Sequence, residues 1–218
     1  MTELDKAAIA AMRRSYGETG LTENQISTDP VTQFHTWLHE AAANVVIVEA
    51  NAMVLSTVAD GQPSSRTVLL KELSPAGFSF FTNYGSRKGR QIAGNPAVSL
   101  LFPWYAMERQ VIVLGQAKKI AEADSDNYFA GRPWSSQIGA WASSQSEVLE
   151  DRSELEGKYQ EYVAKYPEGS LVPRPPHWGG YVVVPTSIEF WQGRYSRLHD
   201  RIRYEVTANG WKVRRFYP

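Results

Sequence analysis

From residue 52 onward the sequence consists of short apolar stretches separated by tight-turn signals, and this rhythm limits the possible folds most strongly. Residues 52–58 and 65–71 read as a hairpin around Asp60-Gly61, and a second turn at 74–77 leads to a strand at 78–82. Further strands are expected at 97–102, 109–120, 180–184, 187–192, 198–206 and 211–216, the last two joined by a turn at Asn209-Gly210. Strands in hairpin order favour a mainly β fold, an antiparallel barrel of Greek-key-like topology with α insertions.

Apolar residues at helical spacing interrupt this strand pattern. Asp29 followed by Pro30 predicts the start of a core-facing helix over residues 30–43. Ser146, with acidic residues after it, predicts a cap for a helix over 147–165. Shorter helices are expected at 3–16, 86–93, 122–131 and 134–142. We therefore expect an N-terminal helix and mobile segment over residues 1–28 and a single domain over residues 29–218.

Composition excludes several classes of protein. The 23 Lys and Arg residues balance 23 Asp and Glu residues, which argues against a dedicated nucleic-acid binder. The chain has no Cys, so it has neither disulfides nor a thiol nucleophile. No apolar run reaches membrane-spanning length, and the N-terminus lacks the regions of a signal peptide. We expect a cytoplasmic protein that binds neither nucleic acid nor membrane.

The most unusual local feature is a cationic stretch near the C-terminus. Read as a strand over 197–204, it places Arg197, His199, Arg201 and Arg203 on one face. Such a row of cations is repulsive unless an anion lies across it, which favours a phosphate or polyanion site. The alternative is an edge strand whose charges prevent aggregation, although that device usually employs Lys.

Two cationic segments follow earlier strands. Arg66 and Lys71 bracket an apolar strand and face opposite sides of it, so they serve one ligand only if a bulge intervenes or the ligand wraps the strand end. In the second segment, 82–88, a strand and a glycine turn are followed by Ser86, Arg87 and Lys88 at the start of a helix, where free backbone N–H groups favour an anion. The spacings of a Walker loop and of a Rossmann glycine motif are both absent.

A third candidate combines hydroxyl and guanidinium groups. Tyr128 and Arg132 are four residues apart on one predicted helix face, and Ser136 follows Pro133. A solvated helix end is the alternative interpretation. His35 and His39 have possible metal spacing, but no acidic third ligand stands out, so no metal is expected. Several phosphate-type sites without hydrolytic machinery indicate a phosphorylated cofactor that performs its own chemistry.

Taken together, these motifs resemble the pyridoxine (pyridoxamine) 5′-phosphate oxidase family, over nearly the whole chain from about residue 13. The segments that carry the resemblance are Arg66-Thr67-Val68-Leu69-Leu70-Lys71, Phe81-Thr82-Asn83, Gly85-Ser86-Arg87-Lys88, Glu108-Arg109-Gln110-Val111, Ser136-Gln137-Ile138-Gly139-Ala140-Trp141, Gln145-Ser146, Pro175-Pro176-His177-Trp178-Gly179-Gly180, Ile188-Glu189-Phe190-Trp191-Gln192-Gly193 and Arg197-Leu198-His199-Asp200-Arg201. Counted with their neighbours, as 81–88, 136–146 and 188–201, these segments make six motifs, and six motifs in the same order are specific to the family.

The resemblance implies an FMN-binding split barrel that forms a homodimer with FMN at the interface. It implies oxidation of pyridoxamine 5′-phosphate and pyridoxine 5′-phosphate to pyridoxal 5′-phosphate by hydride transfer to flavin N5, with O2 reduced to H2O2 and NH3 released from the amine. The implied FMN-binding residues, some of them supplied by the partner chain, are Arg66, Thr67, Val68, Leu69, Leu70, Lys71, Phe81, Thr82, Arg87, Lys88, Gln110, Gln145, Ser146, Trp191 and Arg201.

The resemblance also implies a substrate site. Its implied residues are Arg13, Arg14, Tyr16, Lys71, Tyr128, Arg132, Ser136, Arg197, Leu198 and His199, of which Arg197 and His199 are the catalytic pair and the first three belong to a segment that covers the site. Two departures concern Phe81, where many members have Tyr, and Glu49-Ala50-Asn51, where an acidic-Pro-Asn sequence is commoner.

Two other functions remain open at this point. One is a related FMN-dependent oxidase that acts on another ring, as in the phenazine pathway, and the phosphate cup of Lys71, Tyr128, Arg132 and Ser136 argues against it. The other is a split barrel that binds flavin or haem without catalysis.

Overall fold

The computed structural model describes residues 6–12 and 15–218. Its helices are α1 (Lys6–Ala11), α2 (Pro30–Ala43), α3 (Arg87–Gly94), α4 (Glu122–Ala130), α5 (Trp134–Ala142) and α6 (Arg152–Lys165). Its strands are β1 (Ala52–Ala59), β2 (Gln62–Leu69), β3 (Glu72–Ser74), β4 (Gly77–Asn83), β5 (Ala97–Trp104), β6 (Arg109–Lys119), β7 (Trp178–Gln192), β8 (Asp200–Thr207) and β9 (Gly210–Phe216).

The strands of the described residues form one sheet. Its main order is β2-β1-β5-β6-β7-β4-β3, and β8 pairs with both β7 and β9. The hairpin of β1 and β2 is antiparallel, with Ala52 opposite Leu69 and Ala59 opposite Gln62. Gly61 in its turn has a φ of 75°, a left-handed conformation that glycine adopts without steric cost. The predicted antiparallel β fold with α insertions is confirmed.

The chain forms two compact units. Unit 1 comprises Met1–Ala50, Pro103–Ile112 and Ile188–Pro218, and unit 2 comprises Asn51–Phe102 and Val113–Ser187. Strands β6 and β7 contribute residues to both. The division into residues 1–28 and 29–218 stays a prediction.

Unit 2 has an aromatic and aliphatic core in its sheet. Met53, Leu55, Phe78, Phe80 and Leu100 are all fully buried. On β1 and β5 the buried residues alternate with less buried ones, as expected for strands with one packed face, whereas β4 is buried along most of its length. A second cluster, which we call the helical cluster, lies beside α4, α5 and α6; its buried members are Phe129, Ile138, Val172 and Trp178.

Unit 1 is organised around α2. The carboxylate of Asp29 accepts a hydrogen bond from the N–H of Thr32 at 2.8 Å, which caps the helix as predicted. Trp37 on α2 is 3% exposed and packs edge-on against Phe190 with ring centroids 5.2 Å apart. The buried face of α2 therefore holds β7 in place through aromatic contacts.

Two boundaries near the functional residues differ from prediction. Helix α6 begins at Arg152 and is capped by Asp151, whose carboxylate accepts from the N–H of Ser153 at 2.7 Å. Ser146 is not its cap, because Ser146 has a φ of 76°, outside the extended region that an N-cap residue adopts. Arg197 and His199 lie before β8, which begins at Asp200, so the predicted strand over 198–206 starts two residues too early.

Other differences are smaller. The two strands predicted at 180–184 and 187–192 form the single strand β7. Strand β6 lies very close to β7 at Gly115, where an added Cβ would lie 2.3 Å from the carbonyl oxygen of Val184. Strand β2 ends at Leu69, before Lys71. The short strand β3 was not predicted, and the described part of the predicted helix 3–16 is helical only over Lys6–Ala11.

No helix in the described ranges is long and apolar enough to cross a membrane. Among residues 6–12 and 15–218, no three His, Asp or Glu side chains are grouped so as to hold a metal ion.

Candidate active site

Unit 2 contains a cavity of about 930 Å³, within the range of roughly 300–1,000 Å³ typical of small-molecule sites. Three cationic side chains line it, those of Lys71, Lys88 and Arg132, and no described Asp or Glu does. The uncompensated positive charge makes this cavity, which we call the cationic cavity, suitable for an anionic ligand.

Most residues assigned to the FMN site and to the substrate phosphate cup line this cavity. The segment after β2 supplies Lys71, β4 supplies Phe81 and Thr82, and the helices α4 and α5 supply Tyr128 and Ser136. The assigned residues that line it are Thr67, Val68, Leu69, Lys71, Phe81, Thr82, Lys88, Tyr128, Arg132, Ser136 and Gln145. The cavity thus brings together the four residues of the expected phosphate cup and seven further residues assigned to the flavin; Lys71 was assigned to both.

Arg132 is the most exceptional residue of the cavity. Its Nη1 atom is buried and has no hydrogen-bond partner among the described residues. Its guanidinium carbon lies 4.6 Å from the centre of the Trp178 ring. Burial lowers the pKa of Arg132, which reflects the cost of holding the charge away from water. A buried N–H without an acceptor costs free energy, and because Arg132 also lines the cavity, an anion bound there would compensate its charge.

Tyr128 is held by stacking on Phe81. Their rings are nearly parallel, with an interplanar angle of 6° and centroids 3.7 Å apart. Burial raises the pKa of Tyr128, so its hydroxyl stays protonated at neutral pH and can donate a hydrogen bond. Phe81 contributes a stacking surface here and has no hydroxyl to offer a ligand.

Lys88 lies at the other side of the cavity lining. Its Nζ donates to Thr82 Oγ1 at 3.0 Å and to Gln145 Oε1 at 2.9 Å. Burial, with the charge of Arg66 as a smaller cause, lowers the pKa of Lys88. Gln145 therefore contacts Lys88, a residue assigned to the cofactor site, within the same chain.

Several assigned residues of unit 2 lie outside the cavity lining. Arg66 donates to Thr57 Oγ1 and Ser64 Oγ, each at 2.6 Å, so its guanidinium is already engaged. Arg87 is exposed at the first turn of α3, whose cap is Ser86. Leu70 is buried and Ser146 is exposed.

A second cavity, of about 630 Å³, lies in unit 1. Its lining consists of Met12, Ser15, Tyr16, Arg194, Tyr195, Ser196, Arg197 and His199. Tyr16 packs edge-on against His199 and Trp191, with centroid distances of 5.4 and 5.9 Å. Unit 1 thus brings together three residues assigned to the substrate, Tyr16, Arg197 and His199, and one assigned to the flavin, Trp191. Arg13 and Arg14 lie outside the described residues.

The hydrogen bonds of His199 define its tautomer. Its Nδ1 accepts the backbone N–H of Arg194 at 3.0 Å, so in the neutral ring the proton is on Nε2. Burial lowers the pKa of His199, and the charge of Arg197 lowers it further. At neutral pH the imidazole is therefore a neutral donor through Nε2.

Arg197 is presented by a strained turn. It ends the 3₁₀ turn over Tyr195–Arg197, and both Ser196 and Arg197 have left-handed φ values, of 55° and 63°. Such conformations cost about 1–3 kcal/mol each for non-glycine residues and cluster at functional sites. The side chain of Arg197 is exposed, as is Leu198, which is 62% exposed.

Arg201 and Arg203 are both paired with a carboxylate of the protein itself. Glu189, which is 4% exposed, accepts from Arg201 Nε at 2.9 Å and from Arg203 Nη2 at 2.7 Å. The anion across the predicted cationic face is thus a side chain of β7. Of the remaining residues assigned to the flavin in unit 1, Gln110 and Trp191 are half-buried on β6 and β7.

Three important residues were missed by the sequence analysis: Trp178, Glu189 and Arg194. Trp178 and Glu189 belong to motifs that identified the family but had no assigned role. A carboxylate within the apolar run of β7 was the available signal for Glu189, because a buried charge requires a partner. Nothing local indicates that the backbone of Arg194 positions His199.

The family assignment follows from comparison with known proteins. Residues 38–166 match the family model described as pyridoxamine 5′-phosphate oxidase. Residues 178–218 match the model described as the pyridoxine 5′-phosphate oxidase C-terminal dimerisation region. The chain belongs to the pyridoxine/pyridoxamine 5′-phosphate oxidase family.

Curated members of this family are similar over their whole length. The pyridoxine/pyridoxamine 5′-phosphate oxidase of Streptomyces avermitilis is 51% identical over 214 residues, which cover 96% of each chain. That of Rubrobacter xylanophilus is 51% identical over 219 residues and covers all of both chains.

Solved structures confirm the split-barrel fold of the family. PhzG from Burkholderia lata, determined with tetrahydrophenazine-1-carboxylic acid, has a TM-score of 0.85 and 32% identity over 93% of this chain and all of its own. An FMN-binding, pyridoxamine 5′-phosphate oxidase-related protein from Nostoc punctiforme has a TM-score of 0.69 over 88% of this chain and all of its own; at 15% identity it shows the fold alone.

Proposed function

We propose that this protein is an FMN-dependent oxidase that converts pyridoxamine 5′-phosphate and pyridoxine 5′-phosphate to pyridoxal 5′-phosphate. The observation that carries the proposal is that Arg132, which pairs with no carboxylate of the described residues, lines a cavity to which no described Asp or Glu contributes. A substrate that bears a phosphate would supply the missing acceptor, and curated relatives at about 50% identity carry names that specify such substrates.

The residues present fit a phosphorylated flavin. Lys88, Thr82 and Gln145 form a polar group on the lining of the cationic cavity, with Arg66 and Arg87 as further assigned cations. When bound, FMN accepts a hydride from the substrate carbon at N5 and is reoxidised by O2, which becomes H2O2. The protein's own contribution is then to bind, orient and exclude water.

Two groups of residues would hold the substrate. Lys71, Tyr128, Arg132 and Ser136 would donate to its phosphate, with Tyr128 kept protonated by burial. Arg197 and His199 would face its ring, and the neutral His199 would donate from Nε2 because its Nδ1 is already occupied. Release of ammonia when the substrate is the amine requires only hydrolysis of the imine product.

We propose a homodimer in which FMN contacts both protomers. The match of residues 178–218 to a dimerisation region supports dimerisation. Trp191 and Arg201 lie within that region, so their assignment to the flavin connects cofactor binding with assembly. The cytoplasm stays the predicted compartment.

The test is a peroxide assay on protein reconstituted with FMN. We expect a flavin spectrum, and H2O2 and pyridoxal 5′-phosphate formed in equal amounts from pyridoxine 5′-phosphate. Turnover of a phosphate-free ring acid in place of both phosphorylated substrates would indicate a phenazine-type oxidase. Bound flavin or haem without turnover of any of these would indicate a binding protein.

Arg132→Ala tests the phosphate assignment within the same assay. The loss of a charge-assisted donor costs on the order of 1.5–3 kcal/mol, so KM for pyridoxine 5′-phosphate should rise roughly ten- to hundredfold while FMN is retained. Arg152→Ala is the matched control, since Arg152 is an exposed cation that pairs with Glu156 on α6. Equal weakening of FMN and substrate binding by Arg132→Ala would show that the phosphate sites are wrongly assigned.

A further inference from the structure

Aromatic rings, and no carboxylate, hold the guanidinium of Arg132. Among the described residues it makes no side-chain hydrogen bond or ion pair, and its contacts are the rings of Trp178 at 4.6 Å and Phe129 at 5.6 Å. Arg201 and Arg203, by contrast, are oriented by Glu189. A guanidinium held by ring faces keeps its N–H donors available and its charge unneutralised, as a binding site for an anion requires.

Trp178 is itself firmly placed. It is 7% exposed and is the first residue of β7, where it lies opposite Asn83 of β4 in the antiparallel ladder. Its backbone N–H donates to the carbonyl oxygen of Pro175 at 3.0 Å, and its backbone carbonyl oxygen accepts from Arg174 Nη1 at 2.6 Å. These hydrogen bonds fix the backbone of Trp178 in the sheet, and burial restricts the movement of its ring.

The ring of Trp178 also continues an aromatic stack. It is tilted by 12° from Phe81, with centroids 5.5 Å apart, and by 11° from Tyr128, with centroids 6.2 Å apart. The ring of Trp178 thus lies beside both Tyr128 and Arg132, two donors of the proposed phosphate cup.

We propose that Trp178 is a positioning residue that binds substrate phosphate indirectly, by fixing the guanidinium of Arg132 through a cation–π contact. The inference rests on the proposed function, because it needs Arg132 to be the donor to a phosphate ester. Trp178 holds the charge in place without competing for its N–H groups. Its replacement therefore weakens substrate binding only as far as Arg132 contributes to it.

The experiment measures equilibrium binding to the FMN-loaded protein. The probe is 4-deoxypyridoxine 5′-phosphate, which carries a methyl group in place of the hydroxymethyl group that is oxidised and therefore reports binding without turnover. We expect Trp178→Leu to raise its Kd roughly tenfold, since a desolvated cation–π contact is lost. Trp178→Phe, which keeps a ring, should restore most of the affinity.

A double-mutant cycle separates positioning from general damage. In an Arg132→Ala background, both Trp178→Leu and Trp178→Phe should leave Kd unchanged, because the group through which Trp178 acts is gone. If Trp178→Leu does not fold, the smaller effect of Trp178→Phe, about two- to threefold by the weaker cation–π contact of Phe, is measured in the same cycle. Effects of Trp178 that persist in full without Arg132 would overturn the inference.

Trp141→Leu is the matched control. Trp141 packs against the same helical cluster and lies 5.9 Å from the ammonium group of Lys165, but it does not line the cationic cavity. A Kd as strongly raised by Trp141→Leu as by Trp178→Leu would show that loss of packing explains both, and would overturn the inference. If the protein binds the probe and the Trp178 effects on Kd depend on Arg132, but neither substrate is oxidised, only the proposed function is contradicted. If the protein does not bind the probe, the role of Trp178 is overturned.

Discussion

At the scale of single residues, the site is defined by which cations already have partners. Arg201 and Arg203 share Glu189, and Arg66 donates to the hydroxyl groups of Thr57 on β1 and of Ser64 on its own strand, β2. Arg132 pairs with no carboxylate of the described residues and contacts the rings of Trp178 and Phe129. Since a paired guanidinium gains less from a new anion than an unpaired one, Arg132 is the residue from which phosphate binding should take most of its free energy.

Arg197 should affect chemistry more than cofactor binding. We expect Arg197→Met to retain FMN and the dimer but to lower kcat/KM by about two orders of magnitude, about 2.7 kcal/mol of transition-state stabilisation, because a flexible apolar chain cannot press a planar cation onto a ring. Flavin content and single-turnover rates of flavin reduction provide the measurement. Reduction at the wild-type rate with unchanged KM would assign Arg197 to the solvated surface.

His199 should titrate below the ordinary range of histidine. Burial, followed by the charge of Arg197, lowers its pKa in the folded protein. The unfolded chain then binds more protons between the two pKa values, so the stability contribution of this group is present above the unfolded pKa and is lost as the pH falls through the folded one. NMR titration of the ring in native protein and in urea tests this; a native pKa at or above the unfolded value would contradict it.

At the scale of elements, local capping signals located some helices and misplaced another. Asp29-Pro30 predicted the start of α2, and the apolar spacing of α5 gave Trp134–Ala142 without error. Ser146 was the wrong cap for α6, because the stretch after it holds no helix until Asp151. Ser and Asp both cap helices, so residue type alone cannot choose between two candidates five residues apart.

The cap of α2 gives a prediction about stability. Asp29→Ala should lower the free energy of unfolding by about 1 kcal/mol, since the first-turn N–H of Thr32 loses its acceptor, and Asp29→Asn should cost less. Burial opposes ionisation of Asp29, but its hydrogen bonds with Thr32 outweigh burial and lower its pKa. The cap is thus fully effective above the unfolded pKa of this carboxyl and weakens as the pH falls through the folded one.

Urea unfolding at neutral pH measures the effect. Asp60→Ala is not a suitable control, because Asp60 has a left-handed φ of 52°; Glu161→Ala, at an exposed position beyond the first turn of α6, serves better. Equal stability of Asp29→Ala and the wild type would mean that water replaces the cap without cost.

At the scale of the whole molecule, assembly and cofactor binding should be linked. If FMN contacts both protomers, it stabilises the dimer by mass action, so its affinity should fall on dilution below the dimer dissociation constant. Light scattering with and without FMN, together with chromatography of the cofactor released by heat, measures both quantities. A monomer that binds FMN tightly, or released FAD, would contradict the proposal.

The sequence alone determined the strand rhythm, most helices and the family, because periodicity, turn residues and short motifs are local properties of the chain. It also named the four residues of the phosphate cup, which the fold brings into one cavity. It did not reveal which cations are free. Glu189 pairs with Arg201 and Arg203, whereas Arg132 lies against the ring of Trp178 and pairs with no described carboxylate. Neither Glu189 nor Trp178 is a sequence neighbour of the arginine that it contacts. Only the tertiary structure decides this, because a charge depends on the groups and the water that folding places around it.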